Sequence, residues 1–256
     1  MKKILQLLVL SISLFSCSMK EKIVFNEDMT GDYELSVDLS PMVSMAGSMM
    51  GDSDKKNEQK YDTIVYFDDI IESYKDSAET SYDKRKLENL RGLKMQTKMD
   101  IDSGDAFIRI YKSFNGIDDL NLMHENFDYA MDKSKKESKV KGVQENNSSI
   151  PQIGQKVTYS YKRKRFKRIA ANKKTEETNE SSEIEENDDD DKFGSMMNMI
   201  GKSMEYEIEY VFPRKIKKVS SDKAMISQDG KTLRISYDIE EVMKDPSIMS
   251  FEVKLK

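Results

Sequence analysis

Apolar and polar residues alternate strictly along several short segments of the chain. In the first segment the apolar positions are Tyr33, Leu35, Val37 and Leu39, with polar residues between them. A period of two is typical of a β-strand that buries one face and exposes the other. Strands of this kind form antiparallel sheets with one solvated face, so the pattern predicts such a sheet. The alternation recurs at residues 93–101, 106–111, 157–161, 206–212, 233–237 and 249–255.

Two short polar turns containing glycine lie next to these segments. Ser103-Gly104-Asp105 separates the strands at 93–101 and 106–111, and Asp229-Gly230 comes just before the strand at 233–237. Glycine supplies the backbone angles that tight hairpin turns require. The sequence therefore predicts a β-hairpin at each position.

Helical spacing fills the gaps between the predicted strands. Apolar residues three and four positions apart predict helices at 67–78, at 81–90 behind Ser81, and at 117–131. Asp238 and Glu241 have capping-box spacing, which predicts a short helix that ends before Pro246. Helices placed between the strands of a one-sided sheet must cover its apolar face. The predicted fold class is α+β, an antiparallel β-sheet with one face covered by helices.

The first seventeen residues have the order of an export signal. Two lysines, Lys2 and Lys3, precede an apolar run at 4–15, and Ser16 and Cys17 follow. Leu14-Phe15-Ser16-Cys17 resembles the lipobox of bacterial lipoproteins, and the bulky Phe15 is a variation found in Bacteroidota-type lipoproteins. The resemblance implies cleavage before Cys17 and acylation of its thiol. Other interpretations are an ordinary secretory peptide or one membrane helix, although a spanning helix needs about 20 apolar residues.

The acylated Cys17 would anchor the chain to a membrane of the bacterial cell envelope, and the outer membrane is the expected one. Two acyl chains give stable anchoring, whereas a single chain binds only marginally. The sequence does not specify the periplasmic or the surface face. Tyr210-Val211-Phe212-Pro213 and the segment at 229–233 are similar to the tail of bacterial lipoproteins, a resemblance that implies no activity.

Length and composition favour one polar domain with flexible insertions. The 256 residues are 37% hydrophobic and 35% charged, with a formal net charge of -5. We predict a signal peptide at 1–16, a lipid-anchored tether at 17–28 that Lys20, Glu21 and Lys22 keep solvated, and a single α+β domain at 29–256. Segments rich in Lys, Glu, Asn and Ser predict two disordered insertions, near 132–152 and 171–192.

Residues with catalytic or metal-binding chemistry are sparse. His124 is the single histidine, and it lies between Leu120 and Phe127 on the apolar stripe of a predicted helix, which favours a structural role. One histidine and no cysteine after Cys17 do not suffice for a zinc site of the usual type. A phosphate-binding glycine loop is absent from the sequence. We therefore predict no catalytic residue, no metal and no cofactor.

Methionines form two clusters beside glycine and serine. Their thioethers adapt to irregular gaps, so packing on the sheet is the simplest interpretation. The same softness favours a second interpretation, an adaptable surface for a lipid, an acyl chain or a partner protein. Copper(I) held by thioethers is a third, which the irregular spacing and the lack of a nearby histidine disfavour. The clusters are Met42, Met45, Met49 and Met50, and Met196, Met197, Met199 and Met204.

A basic segment and an acidic segment follow one another. Residues 156–174 contain no acid, and residues 176–191 contain no base. Arg163, Lys164 and Arg165 form the centre of the basic segment and are candidates for contact with an anionic surface, either lipid phosphates or a polysaccharide. The export signal and the negative net charge argue against nucleic acid. A solvated hairpin whose loop is the acidic segment is the competing interpretation.

These patterns favour a non-enzymatic, lipid-anchored envelope protein that acts as a binding or structural module. Its expected partners are the membrane, through acylated Cys17, and a lipid or an envelope protein. A carrier of a lipid or other apolar ligand is the alternative, and it would require a cavity between sheet and helices. An envelope enzyme is a third class, for which the sequence identifies no residues.

Overall fold

A computed structural model describes residues 18–41, 43–44, 60–74, 81–100, 102–136, 155–172 and 204–256. Within these ranges the chain forms two β-sheets and a set of helices. The larger sheet contains β1 (Ser18–Phe25), β2 (Gly31–Asp38), β3 (Lys60–Tyr66), β4 (Lys94–Asp100), β5 (Asp105–Phe114), β8 (Glu205–Val211), β10 (Met225–Ile226) and β11 (Thr232–Asp238). The smaller sheet contains β6 (Gln155–Lys162), β7 (Arg165–Asn172), β9 (Ile216–Val219) and β12 (Phe251–Leu255). The helices are α1 (Phe67–Tyr74), α2 (Ser81–Glu88), α3 (Ile117–Lys136) and α4 (Ile239–Lys244), with a 3-10 turn at Pro246–Met249.

The predicted α+β class is confirmed, and antiparallel pairing dominates both sheets. The larger sheet has the order β10-β11-β8-β1-β2-β5-β4-β3, and the smaller has the order β6-β7-β12-β9. All neighbours within the two described sheets pair antiparallel apart from β1 and β8, which run parallel from Ser18 opposite Glu205 to Val24 opposite Val211. The strand nearest the beginning of the described chain thus lies in the middle of the larger sheet.

Two kinds of layer cover the apolar face of the larger sheet. The helices cover one part: the imidazole of His124 in α3 packs edge-on against Tyr33 of β2, with ring centroids 4.9 Å apart. The smaller sheet covers another part, where Phe166 of β7 packs against Phe25 of β1 at 5.1 Å and against Tyr210 of β8 at 5.6 Å. The covering layer is therefore part helix and part sheet, whereas the sequence pattern predicts a layer of helices only.

Helix α3 also protects an edge of the smaller sheet. The side-chain amide of Asn121 donates from Nδ2 to the carbonyl of Tyr159 at 2.9 Å, and its Oδ1 accepts from the Tyr159 amide at 2.7 Å. An exposed edge strand presents unpaired amides and carbonyls that can pair with another chain. Asn121 satisfies both backbone groups at one position of edge strand β6.

The predicted turns and the predicted cap are confirmed. Strands β4 and β5 form a hairpin from Asp100 opposite Asp105, and β10 and β11 form the second pair around the Asp229-Gly230 turn. Asp238 caps α4, because its Oδ1 accepts from the Glu240 amide at 2.7 Å. No helix in the described part of the chain is long and apolar enough to cross a membrane.

The prediction of a solvated tether at 17–28 is wrong for residues 18–25, whereas residues 26–28 form an exposed turn. Residues 18–25 form β1, which pairs with β2 on one side and with β8 on the other. Met19, Glu21, Ile23 and Phe25 point into the core, and Glu21 is only 1% exposed. Lys20 and Lys22 do face outward, so the charged residues that suggest a tether occupy both faces of a central strand.

Several predicted segments lie wholly or partly outside the described residues. The signal peptide and Cys17 lie there entirely. Of the two predicted insertions, the first begins inside α3, which continues to Lys136, and the second begins inside β7, which continues to Asn172. The remainder of each insertion, and the acidic segment at 176–191 with it, is outside the described ranges.

Candidate anion-binding face

The predicted basic residues form a tight turn between two strands of the smaller sheet. Lys162 of β6 pairs with Arg165 of β7, so Arg163 and Lys164 alone make the loop. Their φ angles are 52° and 62°, both in the left-handed region that a type I′ turn requires. The interpretation of a hairpin whose loop is the acidic segment is wrong, because β7 pairs with β6 and β12 and the turn itself is basic.

Four cations form a line across the outer face of the smaller sheet. Lys162 pairs with Arg165, Arg165 pairs with Lys254 of β12, and Lys254 pairs with Lys218 of β9. We call these four residues the cationic row. Since neighbouring strands lie about 4.8 Å apart, the row spans about 14 Å from the first strand to the last.

A single carboxylate lies beside the cationic row among the described residues of this face. Glu252 accepts from Arg165 at 2.7 Å and lies 3.0 Å from the ammonium of Lys167. Hydrogen bonds from Lys167 and Arg165 lower the pKa of Glu252, which keeps it ionised. One negative charge is shared between two cations, so the face as a whole retains an excess of positive charge.

The outer face of the larger sheet has the opposite design. Glu209 of β8 accepts from Lys20 at 3.0 Å and from Arg234 at 2.8 Å, and Lys20 also pairs with Glu207 at 2.9 Å. Acidic and basic residues there stand on adjacent strands and neutralise one another. The cationic row has no such acidic partners on three of its four strands among the described residues.

Like charges directly opposite each other on neighbouring strands destabilise a sheet. The cationic row contains three such pairs in succession. It also adjoins the turn at Arg163 and Lys164, two residues with bulky side chains whose positive backbone φ angles favour asparagine or glycine. Neither feature improves packing, since these side chains point away from the core. A face with this arrangement can bind a polyanion, which would relieve the repulsion.

The turn provides a first testable prediction. We expect the double variant Arg163→Asn/Lys164→Gly to raise the free energy of unfolding by about 1–2 kcal/mol, because both new residues tolerate positive φ. The measurement is urea unfolding followed by far-UV circular dichroism. The matched control, Arg163→Gln/Lys164→Gln, removes the same charge but retains the strained backbone, and should stay within about 0.5 kcal/mol. Equal stabilisation by both variants would assign the effect to charge and contradict the backbone argument.

A buried charged cluster lies behind this face, between the two sheets. We call Glu21, Arg168, Tyr159, Tyr206 and Tyr210 the Glu21 centre. Arg168 donates from Nη2 to Glu21 Oε2 at 2.8 Å, and Tyr206 donates to the same oxygen at 2.6 Å. Tyr159 donates to Oε1 at 2.9 Å, and Tyr210 donates to it as well. The carboxylate joins β1 and β8 of the larger sheet to β6 and β7 of the smaller one.

The environment fixes the charges of the Glu21 centre. Burial raises the pKa of Glu21, but the charge and hydrogen bonds of Arg168 lower it more strongly, to about 2. Burial alone would lower the pKa of Arg168, yet Glu21 raises it well above its ordinary value. Arg168 is 0% exposed and also donates to the carbonyl of Met249 at 3.0 Å. The arrangement is an enclosed ion pair whose groups are already satisfied by protein partners, which fits a structural role.

His124 adjoins the Glu21 centre. Its Nε2 lies 3.3 Å from the Tyr159 hydroxyl, and its ring packs against Tyr33 and Tyr159. Burial lowers the pKa of His124 to about 4, although the nearby Glu21 charge raises it in part. The imidazole is therefore neutral at pH 7 and packed among aromatic rings, as the structural interpretation predicts.

Aromatic rings fill the space between the sheets beside the Glu21 centre. Phe25 stacks on Phe212 at 5.3 Å and contacts Phe114 edge-on at 5.9 Å. Phe166 contacts Phe212 at 5.5 Å, and Tyr210 contacts Phe251 at 5.8 Å. A carrier would need an open apolar cavity, whereas in this part of the interface the rings contact one another directly.

The structure brings together only some of the residues that the sequence singles out. Arg163, Lys164 and Arg165 lie together at one end of the smaller sheet. Met204 is buried, in agreement with a packing role. The methionines proposed as an apolar-ligand or partner surface lie outside the described residues, as does the lipidation site Cys17. They are Met42, Met45, Met49, Met50, Met196, Met197 and Met199.

Sequence reasoning misses Lys218 and Lys254 of the cationic row. Alternation in β12 does place Glu252 and Lys254 on one face, but the sequence carries no sign that β12 lies between β7 and β9. Lys217 is the extra residue where the register between β9 and β12 shifts, which obscures the period of β9. The row exists because of strand order, and strand order is a tertiary property.

Comparisons with known proteins identify no family for this chain. No protein-family model matches the chain, and no curated protein matches it. Among solved structures, the NMR structure of the folded domain of the Mycobacterium tuberculosis protein LppM is similar over 94% of this chain and 89% of that one. The TM-score is 0.41 and the sequence identity is 5%. A similarity of this size does not indicate what this chain does.

Proposed function

We propose that this protein is a non-enzymatic polyanion-binding module, held at a membrane of the bacterial cell envelope by acylated Cys17. The outer membrane is the site we favour. The cationic row is the observation that carries the proposal. It joins Lys162, Arg165, Lys254 and Lys218 from four strands into one line of like charge on the outer face of the smaller sheet.

The contrast between the two outer faces supports a binding role over general solubility. A surface needed only for solubility would mix both signs of charge, as the larger sheet does around Glu209. The formal net charge of the whole chain is -5, so a basic face is a local feature and does not follow from a basic composition. The Arg163-Lys164 turn extends the same positive charge beyond the end of the sheet.

The test is binding of the full-length protein, in neutral detergent, to heparin as a generic linear polyanion. Each basic residue near an anionic surface contributes about 1 kcal/mol, so removing three should weaken binding about a hundredfold at low salt. The variant is Arg165→Gln/Lys218→Gln/Lys254→Gln. It leaves Lys167 to pair with Glu252.

The control variant carries the same change of net charge elsewhere. Lys84→Gln/Lys223→Gln/Lys244→Gln removes three exposed lysines, which lie in α2, in the loop before β10 and in α4. It should bind heparin as the unmodified protein does. Equal loss of binding in both variants would attribute the affinity to net charge, and unchanged binding in the row variant would contradict the proposal.

A further inference from the structure

We infer that the cationic row binds a linear acidic polysaccharide lying beyond the anchoring membrane, on the side of the domain away from Cys17. The inference rests on the proposed function and adds the chemical class and the position of its ligand. It follows from the direction of β1, the direct connection of its first residue to Cys17 and the composition of the basic face.

Strand β1 leads directly away from the proposed anchor. Its first residue, Ser18, follows Cys17 with no intervening segment, and its last residue, Phe25, lies about 23 Å further along the strand. Phe25 packs against Phe166, which is the neighbour of Arg165 in β7. Glu21, halfway along β1, instead meets Arg168, three residues further along β7. The cationic row therefore lies at the Phe25 end of the domain, far from the anchored end.

The end of the larger sheet nearest the anchor is acidic. Ser18 pairs with Glu205 of β8, and Glu205 pairs in turn with Asp238 of β11. On the other side of β1, Met19 pairs with Val37, which places Asp38 next to Ser18. An anionic bilayer would repel this end and attract the cationic row, but the direct connection of Ser18 to Cys17 holds this end at the membrane. The cationic row is thereby kept at the far end of the domain, where it can meet a ligand that lies beyond the anchoring membrane.

The composition of the basic face favours a polysaccharide over two other polyanions. Beside the row, the described outward residues include the hydroxyls of Thr158 and Ser160 and the aliphatic Ile169. None of the outward residues described on these four strands is aromatic. Single-stranded nucleic acids are bound by stacking bases on aromatic rings, which the described outward residues lack. Interfacial membrane binding inserts several aromatic or large apolar side chains, and Ile169, 52% exposed, is the one large apolar residue among the described outward positions. The cations of the row, about 4.8 Å apart on neighbouring strands, can pair with the carboxylates of a uronic acid polymer. The hydroxyls beside them can form hydrogen bonds with the hydroxyls of the same polymer.

The experiment uses the acylated full-length protein reconstituted into vesicles of phosphatidylcholine alone or with phosphatidylglycerol. The probe is fluorescent alginate, a linear polyuronate, and the readout is its co-sedimentation with the vesicles. We expect capture by both kinds of vesicle, with at least a tenfold loss in the Arg165→Gln/Lys218→Gln/Lys254→Gln variant and none in the Lys84→Gln/Lys223→Gln/Lys244→Gln control. Protein with Cys17→Ala should neither incorporate acyl label nor bring alginate down with the vesicles.

Each contrary outcome has a distinct meaning. If heparin binding in detergent depends on the row but alginate is not captured, the ligand class is wrong and the proposed function stands. If phosphatidylglycerol in the host vesicle abolishes capture, the row faces its own membrane and the position is wrong. Clustering of separate anionic vesicles, or tighter binding of single-stranded DNA than of alginate, would overturn the inference in favour of those ligands. Heparin binding that is the same in the unmodified protein and in the Arg165→Gln/Lys218→Gln/Lys254→Gln variant would overturn the proposed function itself.

Discussion

Replacement of Glu21 by alanine is expected to lower the free energy of unfolding by about 3–5 kcal/mol, because it leaves the guanidinium of Arg168 charged and buried without its partner. Three tyrosine hydroxyls lose their acceptor in the same variant. Small domains are stable by only about 5–15 kcal/mol, so much of the stability would be lost. The measurement is urea unfolding by far-UV circular dichroism, since the chain contains no tryptophan.

Two further variants identify the cause of this loss. Glu207→Ala removes a carboxylate of the same type from the outer face of β8, where it pairs with Lys20 at 2.9 Å and is partly exposed, and should cost less than about 1 kcal/mol. Glu21→Met/Arg168→Met removes both buried charges. Its loss of unfolding free energy should be clearly smaller than the sum of the losses measured for Glu21→Met and Arg168→Met separately. Additive losses would show that the ion pair is not coupled in the folded state.

Acid should destabilise the protein through His124 before it affects the Glu21 centre. The pKa of His124 is about 4 in the folded state against an ordinary value of 6.5, so between these values the unfolded chain binds a proton that the folded chain does not. Stability is then full above pH 6.5 and falls as the pH decreases to 4. The expected loss is about 2–3 kcal/mol, since one pKa unit corresponds to about 1.4 kcal/mol.

The His124→Phe variant should flatten this dependence while retaining ring contacts with Tyr33 and Tyr159. Tyr159 still donates to Glu21 in the variant, so no buried hydroxyl loses its partner. Unfolding free energies measured from pH 7.5 to pH 4 should therefore fall less steeply than those of the unmodified protein. A second loss, below pH 4.5, should remain in both proteins because the pKa of Glu21 is lowered to about 2. Identical slopes between pH 6.5 and 4.5 would contradict the assignment to His124.

Alternation predicts the strands whose inward positions are all apolar. Strand β2 buries Tyr33, Leu35 and Val37, and β12 buries Phe251, Val253 and Leu255, so both are evident from the sequence. Strand β1 has the same period but places Glu21 at an inward position, and this one carboxylate makes the segment resemble a solvated tether. Arg168 has the same effect on β7. Each charge is compatible with burial only because the other lies opposite it, 147 residues away along the chain.

Edge strand β3 is missed for a different reason. Most of its residues are exposed, and Ile64 and Tyr66 are 40% and 43% exposed, so little hydrophobic pattern distinguishes it from a loop.

The candidate site is likewise only partly evident from neighbouring residues in the sequence. Arg163, Lys164 and Arg165 are adjacent in sequence and could be singled out, whereas the row depends on Lys218 and Lys254 being carried by strands that the sequence does not place next to β7.

The parallel pair of β1 and β8 has a consequence for how the chain folds. The pairing joins Ser18 to Glu205, and β1 cannot complete its hydrogen bonds on that side until residues 205–211 are present. Contacts between distant parts of a chain slow folding, because the intervening loop must close first. We therefore expect a slowly folding protein in which β1 gains its partner β8 late. One side of residues 18–25 must therefore wait for its partner while residues 26–204 are synthesised.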